Sequence, residues 1–526
     1  MMRTMNAALA LSVLALLVGC GSAEVQPTKD VVGSKDEYVS TRRNQILRHM
    51  ENYTQRMYEA EGDIDALANY GDRLMWAEDE SVLHIGSISG EEFSSRPLKT
   101  LTHDIDGLCF APLEDGLFEV FISDGDGHIY QYWLLEEISA LSPVRTLSTN
   151  PGIERCVVDG ESLVLDDPFF GQIVAARNPE NDAVFKPYTD ADLDARFATL
   201  REGRHPLKAP EESPSAKFSE VYASLETEPV DSEGAADAVV LAAGDGTWWI
   251  VGADKQQGLR VYDAQGKQQH FMPEGGLNNV DALPLKDAQF LLVASHRSES
   301  AIDVFVADLA ANTVALKGRI GLELDDPHGL CMGRGSKEEL WVFVGDSSGR
   351  VEHWQLGETY RDAEKLAAFS FESQAGGCVY YADSQQLYVG ETDRGIWRID
   401  LESGDKTLVE DMAAGHLVAE VAGLDIYRDK DQSWLIASSQ GDDSYVVYQL
   451  EPWQFVARFR IGPDYHRVID GASATEGLAV SAAALPDYPK GVLVVQDGRN
   501  RAPEAAQNFK VVDWRKIAEL LEPGDD

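Results

Sequence analysis

Four cysteines stand in two equally spaced pairs, Cys109 with Cys156 and Cys331 with Cys378, each 47 residues apart. Such spacing does not make a zinc site, and nothing around the four marks a thiolate nucleophile. In an exporting compartment an even count favours two disulfides, with buried free thiols as the other reading. Asp124-Gly125-Asp126-Gly127 begins like a calcium-binding loop. It has Leu135 where the twelfth-position acid belongs, so it reads as a turn. Walker and HExxH patterns are absent, and Gly333-Arg334-Gly335 lacks the rest of a dinucleotide fingerprint. What stands out instead is charge: 89 acidic against 45 basic side chains, a formal net charge of -44. A chain so acidic repels nucleic acid and anionic membranes. Either the acidity is plain solubility, or anions are met through bound metal cations.

The elements that must position any site are short. The 526 residues, 44% hydrophobic and 25% charged, have ordinary globular composition. Arg3 and the apolar run Ala7 to Gly19 form a segment too short to span a bilayer, which reads as a secretory signal. Leu17-Val18-Gly19-Cys20 resembles a bacterial lipobox, implying cleavage before Cys20, its lipidation and a membrane tether. Gly21, in place of Asp, favours the outer membrane by resemblance to sorting rules. Weak helical periodicity over about 35–60 (Tyr38, Ile46, Leu47, Met50, Tyr53, Met57) suggests a surface helix. Beyond it, runs such as Phe118 to Ile122 and Ile129 to Leu134, separated by Gly, Asp and Ser, have the strand-and-turn rhythm of a propeller or sandwich. A Pro- and charge-rich stretch from Thr189 to Ser215 is the best boundary, with a short helix over 191–200 capped by Asp190.

The rhythm repeats. Asp104-Ile-Asp-Gly-Leu-Cys109 lines up with Asp326-Pro-His-Gly-Leu-Cys331, and Val120-Phe-Ile-Ser-Asp124 with Val342-Phe-Val-Gly-Asp346, all at an offset of 222 residues. Cys156 falls opposite Cys378 at the same offset. The halves are copies of one architecture, and the first is shorter.

From Glu226 onward the chain resembles the β-propeller phytases. The ordered set includes Glu226-Thr-Glu-Pro-Val-Asp231, Gly258-Leu-Arg-Val-Tyr-Asp263, Leu277-Asn-Asn-Val-Asp281, Ser295-His-Arg-Ser298, Ala437-Ser-Ser-Gln-Gly441, Gln496-Asp-Gly498 and Gln507-Asn-Phe-Lys510. The resemblance implies an all-β fold: a six-bladed propeller over about 209–526, preceded by a partial copy with its linker over 62–208. The remaining divisions are a signal peptide, 1–19, and a tether with the possible helix, 20–61. It further implies calcium-dependent release of phosphate from phytate (inositol hexakisphosphate) or another inositol phosphate. Calcium held by carboxylates would let so acidic a chain bind so anionic a substrate.

Carried over position by position, the resemblance makes Lys255 and Arg297 phosphate contacts and catalytic residues, with His328 in the place of a substrate-binding tyrosine. Glu226, Asp237, Glu391, Gln440, Asp470 and Glu476 become calcium ligands, Glu391 also counting as catalytic. Departures fall on the chemistry: Gln256 replaces a second lysine, and Gly376, Ala422 and Ala474 stand where the family has carboxylates. The alternative expectation is therefore a phytase-like propeller, impaired in turnover, that binds calcium, a phosphorylated ligand or an envelope partner.

Overall fold

The computed structural model describes residues 37–114, 116–208, 218–429 and 432–521. The signal segment, Cys20, the tether before residue 37 and residues 209–217 of the linker lie outside the described residues. Among those described, the strands form ten sheets, nine four-stranded and one five-stranded. No described helix is long and apolar enough to cross a membrane.

Six of the sheets make a closed propeller. Their inner strands are Ala235–Ala242, Leu277–Pro284, Pro327–Arg334, Ala375–Tyr381, Val421–Arg428 and Leu478–Ser481, and each contacts the next until the sixth meets the first. The chain ahead of blade one completes two others. Ser219–Tyr222 adds a parallel fifth strand to blade five, and Leu225–Glu226 pairs as the outer strand of blade six. Because each blade is sandwiched by neighbours, second strands such as Trp248–Asp254 are buried on both faces and read as continuous apolar runs. Between blades one and two, for example, Trp249, Val251 and Leu259 pack against Val280, Leu292 and Phe305.

At the axis the inner strands come into backbone contact. A Cβ at Gly329 would sit 2.6 Å from the Gly376 carbonyl oxygen, one at Gly376 equally close to that of Val421, and one at Gly423 to that of Glu476. Real Cβ atoms do not approach so closely, so only glycine allows the strands to converge. Buried carboxylates tie neighbouring strands together. Asp237 accepts from the Val280 N–H (3.2 Å), Asp281 from Met332 (2.7 Å) and Asp425 from Val480 (2.7 Å). Each bonds a backbone donor that its own sheet leaves unpaired at a blade junction.

The first module contains four sheets, where the sequence suggests about three blades. The fourth is built from the segment expected to be a helix: Tyr38–Arg42, Gln45–His49 and Thr54–Glu59 are strands, joined at one edge by His205–Pro206. Only Val39 and Ile46 of these strands are fully buried, so their apolar residues are too sparse to reveal a period of two. The helix Ala191–Arg201 is capped by Asp190, whose side chain accepts from the Asp192 and Leu193 N–H groups. Its Leu193 and Phe197 pack on Val157 and Val164 of the sheet spanning 156–188. Disulfides join Cys109 to Cys156 and Cys331 to Cys378, in each case linking inner strands of adjacent sheets. Closing 47-residue loops stabilises the fold by roughly 4 kcal/mol each in the chain-entropy model.

Burial pushes the Asp281 carboxyl up to about 6 and that of Asp425 up to about 7. A carboxyl whose native pKa lies above its unfolded value contributes most below that unfolded value, about 4, and the contribution is lost as pH rises through the native pKa. Urea unfolding across this range is expected to give Asp281→Asn a lower midpoint at acid pH. Its decline between about pH 4 and 6 should be flatter than that of the parent chain.

Candidate functional site

The loops entering the inner strands and the turns leaving the second strands gather at one end of the axis, around a pocket of about 270 Å3. The first group brings Gln374, Glu420 and Glu476 to its wall, the second brings Lys255, Thr392 and Gln440, and His328 reaches it from the start of the third inner strand. Asp237, Asn278 and Asn279, from the starts of the first two inner strands, complete the lining. Polar side chains thus sit on loops and strand ends held in place by the ring of inner strands.

The cations of this pocket are already paired. The Lys255 ammonium donates to Glu476 (2.6 Å to Oε1), with both side chains about a quarter exposed. Arg297, just outside the lining, places Nε and Nη2 each 2.7 Å from the two oxygens of Asp326 in a bidentate fork. The His328 ring Nε2 lies 3.0 Å from Asp326 Oδ2. The Arg297 guanidinium holds the Asp326 carboxyl below its usual range. Burial, and then the charge of Arg297, push the His328 imidazole down. Asp326 therefore presents Arg297 and His328 together toward the axis.

Asp237 lies at the floor rather than on the open wall. It accepts from Asn279 Nδ2 (3.0 Å) and the Val280 N–H, and burial pushes its carboxyl well up. Gly477 packs directly against it, where a side chain would collide. Ala422 and Gly376 contribute no charge to the same wall. Gly376 is also wedged beneath the Val421 carbonyl, leaving no room for the family's carboxylate without movement of that strand.

Glu391 is elsewhere. It ends the second strand of blade four, and its Oε1 accepts from the Glu372 and Ser373 N–H groups (2.7 Å each) and its Oε2 from the Trp397 indole (2.7 Å). Asp254, Asp346 and Asp497 end second strands of other blades and each accepts from the N–H two residues on in its own turn, whereas Glu391 clamps the turn that enters its blade. Such spent lone pairs make a turn clamp.

Glu226 and Asp470 are brought together, but around a lysine. The fully buried Lys510 ammonium reaches Glu226 Oε2 (2.5 Å), Asp470 and Asp497 Oδ2 (3.3 Å). Burial alone would lower the Lys510 pKa, and these three carboxylates hold it up instead. An ammonium ion is the cation of that cluster.

Of the residues singled out from the sequence, Lys255, His328, Asp237, Gln440 and Glu476 share the axial pocket, with Arg297 beside it through Asp326. Among the described residues no three acidic, His or Cys side chains come together as a group able to hold a metal by themselves. Sequence reasoning missed Asp326 and Glu420. Asp326 carried a signal, since it opens the repeated Asp-x-x-Gly-Leu-Cys segment opposite Asp104.

Comparison with known proteins bears on the second module. A family model described as Phytase matches residues 200–526. The 3-phytase of Bacillus subtilis (strain 168) is 33% identical over 334 residues, covering 57% of this chain and 85% of that relative. Among solved structures, the computationally designed Ika8 protein aligns at 11% identity and a TM-score of 0.29, over 86% of this chain and 98% of its own. Sqt1 of Saccharomyces cerevisiae aligns at 10% identity and 0.28, over 77% and 96%. Scores this low carry no argument.

Because an arriving anion competes with Glu476 for Lys255, the two side chains have opposite effects on simple anion binding. In metal-free titrations, Glu476→Gln is expected to tighten inorganic phosphate about two- to five-fold and Lys255→Met to weaken it by a similar factor.

Proposed function

Since this chain belongs to the phytase family, we propose that its axial pocket hydrolyses phosphate monoesters of phytate, or of another inositol phosphate, with the help of calcium. The observation that carries this reading is the meeting of Lys255 and His328 on one oxygen-rich pocket at the end of the propeller axis, with Arg297 held beside it through Asp326. Lys255 and the Arg297 fork bind separate phosphate groups of a polyanionic ring, since each presents a cation from a different blade. Asp326 holds the guanidinium in plane, so that the Nη1 edge is the one left for substrate. The Glu476 carboxylate, displaced from Lys255 as phosphate arrives, is left facing the same pocket.

The donor set fits calcium in kind. Glu420, Glu476, Gln374 and Gln440 offer hard oxygen ligands on the wall and no nitrogen or sulfur competes except His328. With so few carboxylates, these residues would hold the ion together with the substrate's own phosphate oxygens rather than alone. Bound there, calcium would neutralise phosphate charge and lower the pKa of a coordinated water. A calcium requirement linked to substrate also explains why a chain at -44 can accept a polyanion.

A second reading is favoured by Gly376 and Ala422: a propeller that binds a phosphorylated ligand without turning it over. The lipobox-like Leu17-Val18-Gly19-Cys20 adds to either reading an exported lipoprotein tethered at the envelope, with the outer membrane favoured.

Phosphate release from phytate by residues 21–526, with excess calcium and with a chelator, separates the two. The enzyme reading expects calcium-dependent release that the chelator abolishes, and a fall of at least about a hundred-fold in kcat/KM for Arg297→Ala. Binding of phytate without release supports the second reading. Neither binding nor release by the folded protein contradicts both.

A further inference from the structure

The first module reaches into the second at one place with unusual chemistry. Its segment between Gly171–Ala176 and Lys186–Tyr188 is shaped from within, because the buried Arg145 guanidinium donates to the carbonyls of Ala176, Arg177, Pro179 and Asn181 (2.8–3.2 Å). Gln131 adds a bond to the Arg177 carbonyl (2.9 Å). At the tip of this scaffold Glu180 leaves its own module. Its Oε1 accepts from the Gly471 N–H (2.9 Å) and its Oε2 from Ser473 Oγ (2.7 Å), both in the loop between blades five and six. Arg499 secures the approach, donating to the Glu180 carbonyl (3.2 Å) and to Asp182 (3.0 Å).

That loop is also the one that forms part of the axial pocket. Past Ser473, the Ala474 N–H donates to Asp443 (2.6 Å), the Glu476 N–H to Gln496 (2.9 Å) and the Gly477 N–H to the Ala236 carbonyl (2.9 Å). Glu476 and Gly477 then line the pocket beside Lys255 and Asp237. Only glycine fits at 471 beneath this contact, since a Cβ there would meet the Ile461 carbonyl oxygen (2.5 Å) and Glu180 Oε1 (3.2 Å). The site is also a costly one for an acid: burial pushes the Glu180 carboxyl well up, the nearby Asp470 and Asp497 carboxylates add to this, and the Ser473 hydrogen bond and the Lys510 charge offset only part of it. A contact whose only task was to dock two modules gains nothing from a buried carboxylate beside two others.

We propose that Glu180 of the first module is a positioning residue for the axial site, its carboxylate holding the 470–477 loop from outside so that Glu476 and Gly477 keep their places at the pocket. This rests on the reading of that pocket as the phosphate site. The first module is thereby a structural part of the second module's site, although it lies almost wholly outside the matched residues 200–526.

The test uses the full chain and two readouts. In hydrogen exchange followed by mass spectrometry, Glu180→Ala is expected to exchange the 470–478 backbone about ten-fold faster, with the Gln289–His296 strand unchanged. In kinetics with phytate it is expected to raise KM about ten-fold while kcat moves less than about two-fold. Glu180→Gln restores most of both, because its carbonyl still accepts from Gly471 and its amide can donate to Ser473 Oγ. Should Glu180→Ala fail to fold, Ser473→Ala removes one of the two bonds from the other side and should show a smaller change in the same direction. Unchanged protection of 470–478, or lost protection with an unchanged KM, overturns the proposal. A chain that releases no phosphate contradicts the functional reading instead, and the exchange rates alone then decide the role of Glu180.

Discussion

Six inner strands meet around one axis only where their backbones can touch, and in this molecule glycine makes that contact at four of the six junctions. Gly329, Gly376 and Gly423 each lie against a carbonyl of the following blade, and Gly477 against Asp237. Replacing any of them with a larger residue would drive adjacent blades apart. The same closeness leaves backbone N–H groups at the junctions without strand partners, and Asp237, Asp281 and Asp425 are buried there to accept from them. Burying carboxylates is expensive unless they are bonded, so these interactions join the blades in a single arrangement.

The functional pocket follows from that closure. Where the glycines bring the strands together the axis is narrow, and the loops that enter and leave them are forced to face one another across it. Residues from all six blades converge as a result: Asp237 and Lys255, Asn279, His328, Gln374, Glu420, Glu476. The closure also limits the chemistry. Gly376 serves as a packing residue beneath Val421, so a carboxylate at that position and the present strand geometry exclude each other. The pocket has few fixed acids, and the cations in it and beside it are masked, Lys255 by Glu476 and Arg297 by Asp326; on the proposed function a polyanion would exchange with these internal ion pairs.

Much of this was legible in the sequence. The repeat at an offset of 222, the equal cysteine spacing and the strand-and-turn rhythm carried the fold, because the four-stranded sheet recurs along the chain and the disulfide between adjacent inner strands occurs once in each module. Lys255 and Arg297 were singled out through the motifs around them, and the structure brings Lys255 to the axial pocket with Arg297 beside it. The role of Glu391 was not legible, since an acid that closes a turn and one that binds a metal are the same residue type at the same place in a hairpin. Only its bonds to Glu372, Ser373 and Trp397 distinguish them. Glu226 and Asp470 looked like metal ligands because the ammonium between them comes from Lys510, distant in sequence from both. The strands over 38–59 were hidden for a different reason, having only two fully buried side chains to mark their faces.

The central claim is that calcium is held jointly by the pocket and the substrate's phosphates. Calorimetric titration of calcium into residues 21–526, with and without a non-hydrolysable inositol hexasulfate, tests it most directly. The account predicts calcium binding at the axial pocket that tightens about a hundred-fold or more when the polyanion is present and is lost in Arg297→Ala. Equally tight calcium binding in the absence of the polyanion would contradict it.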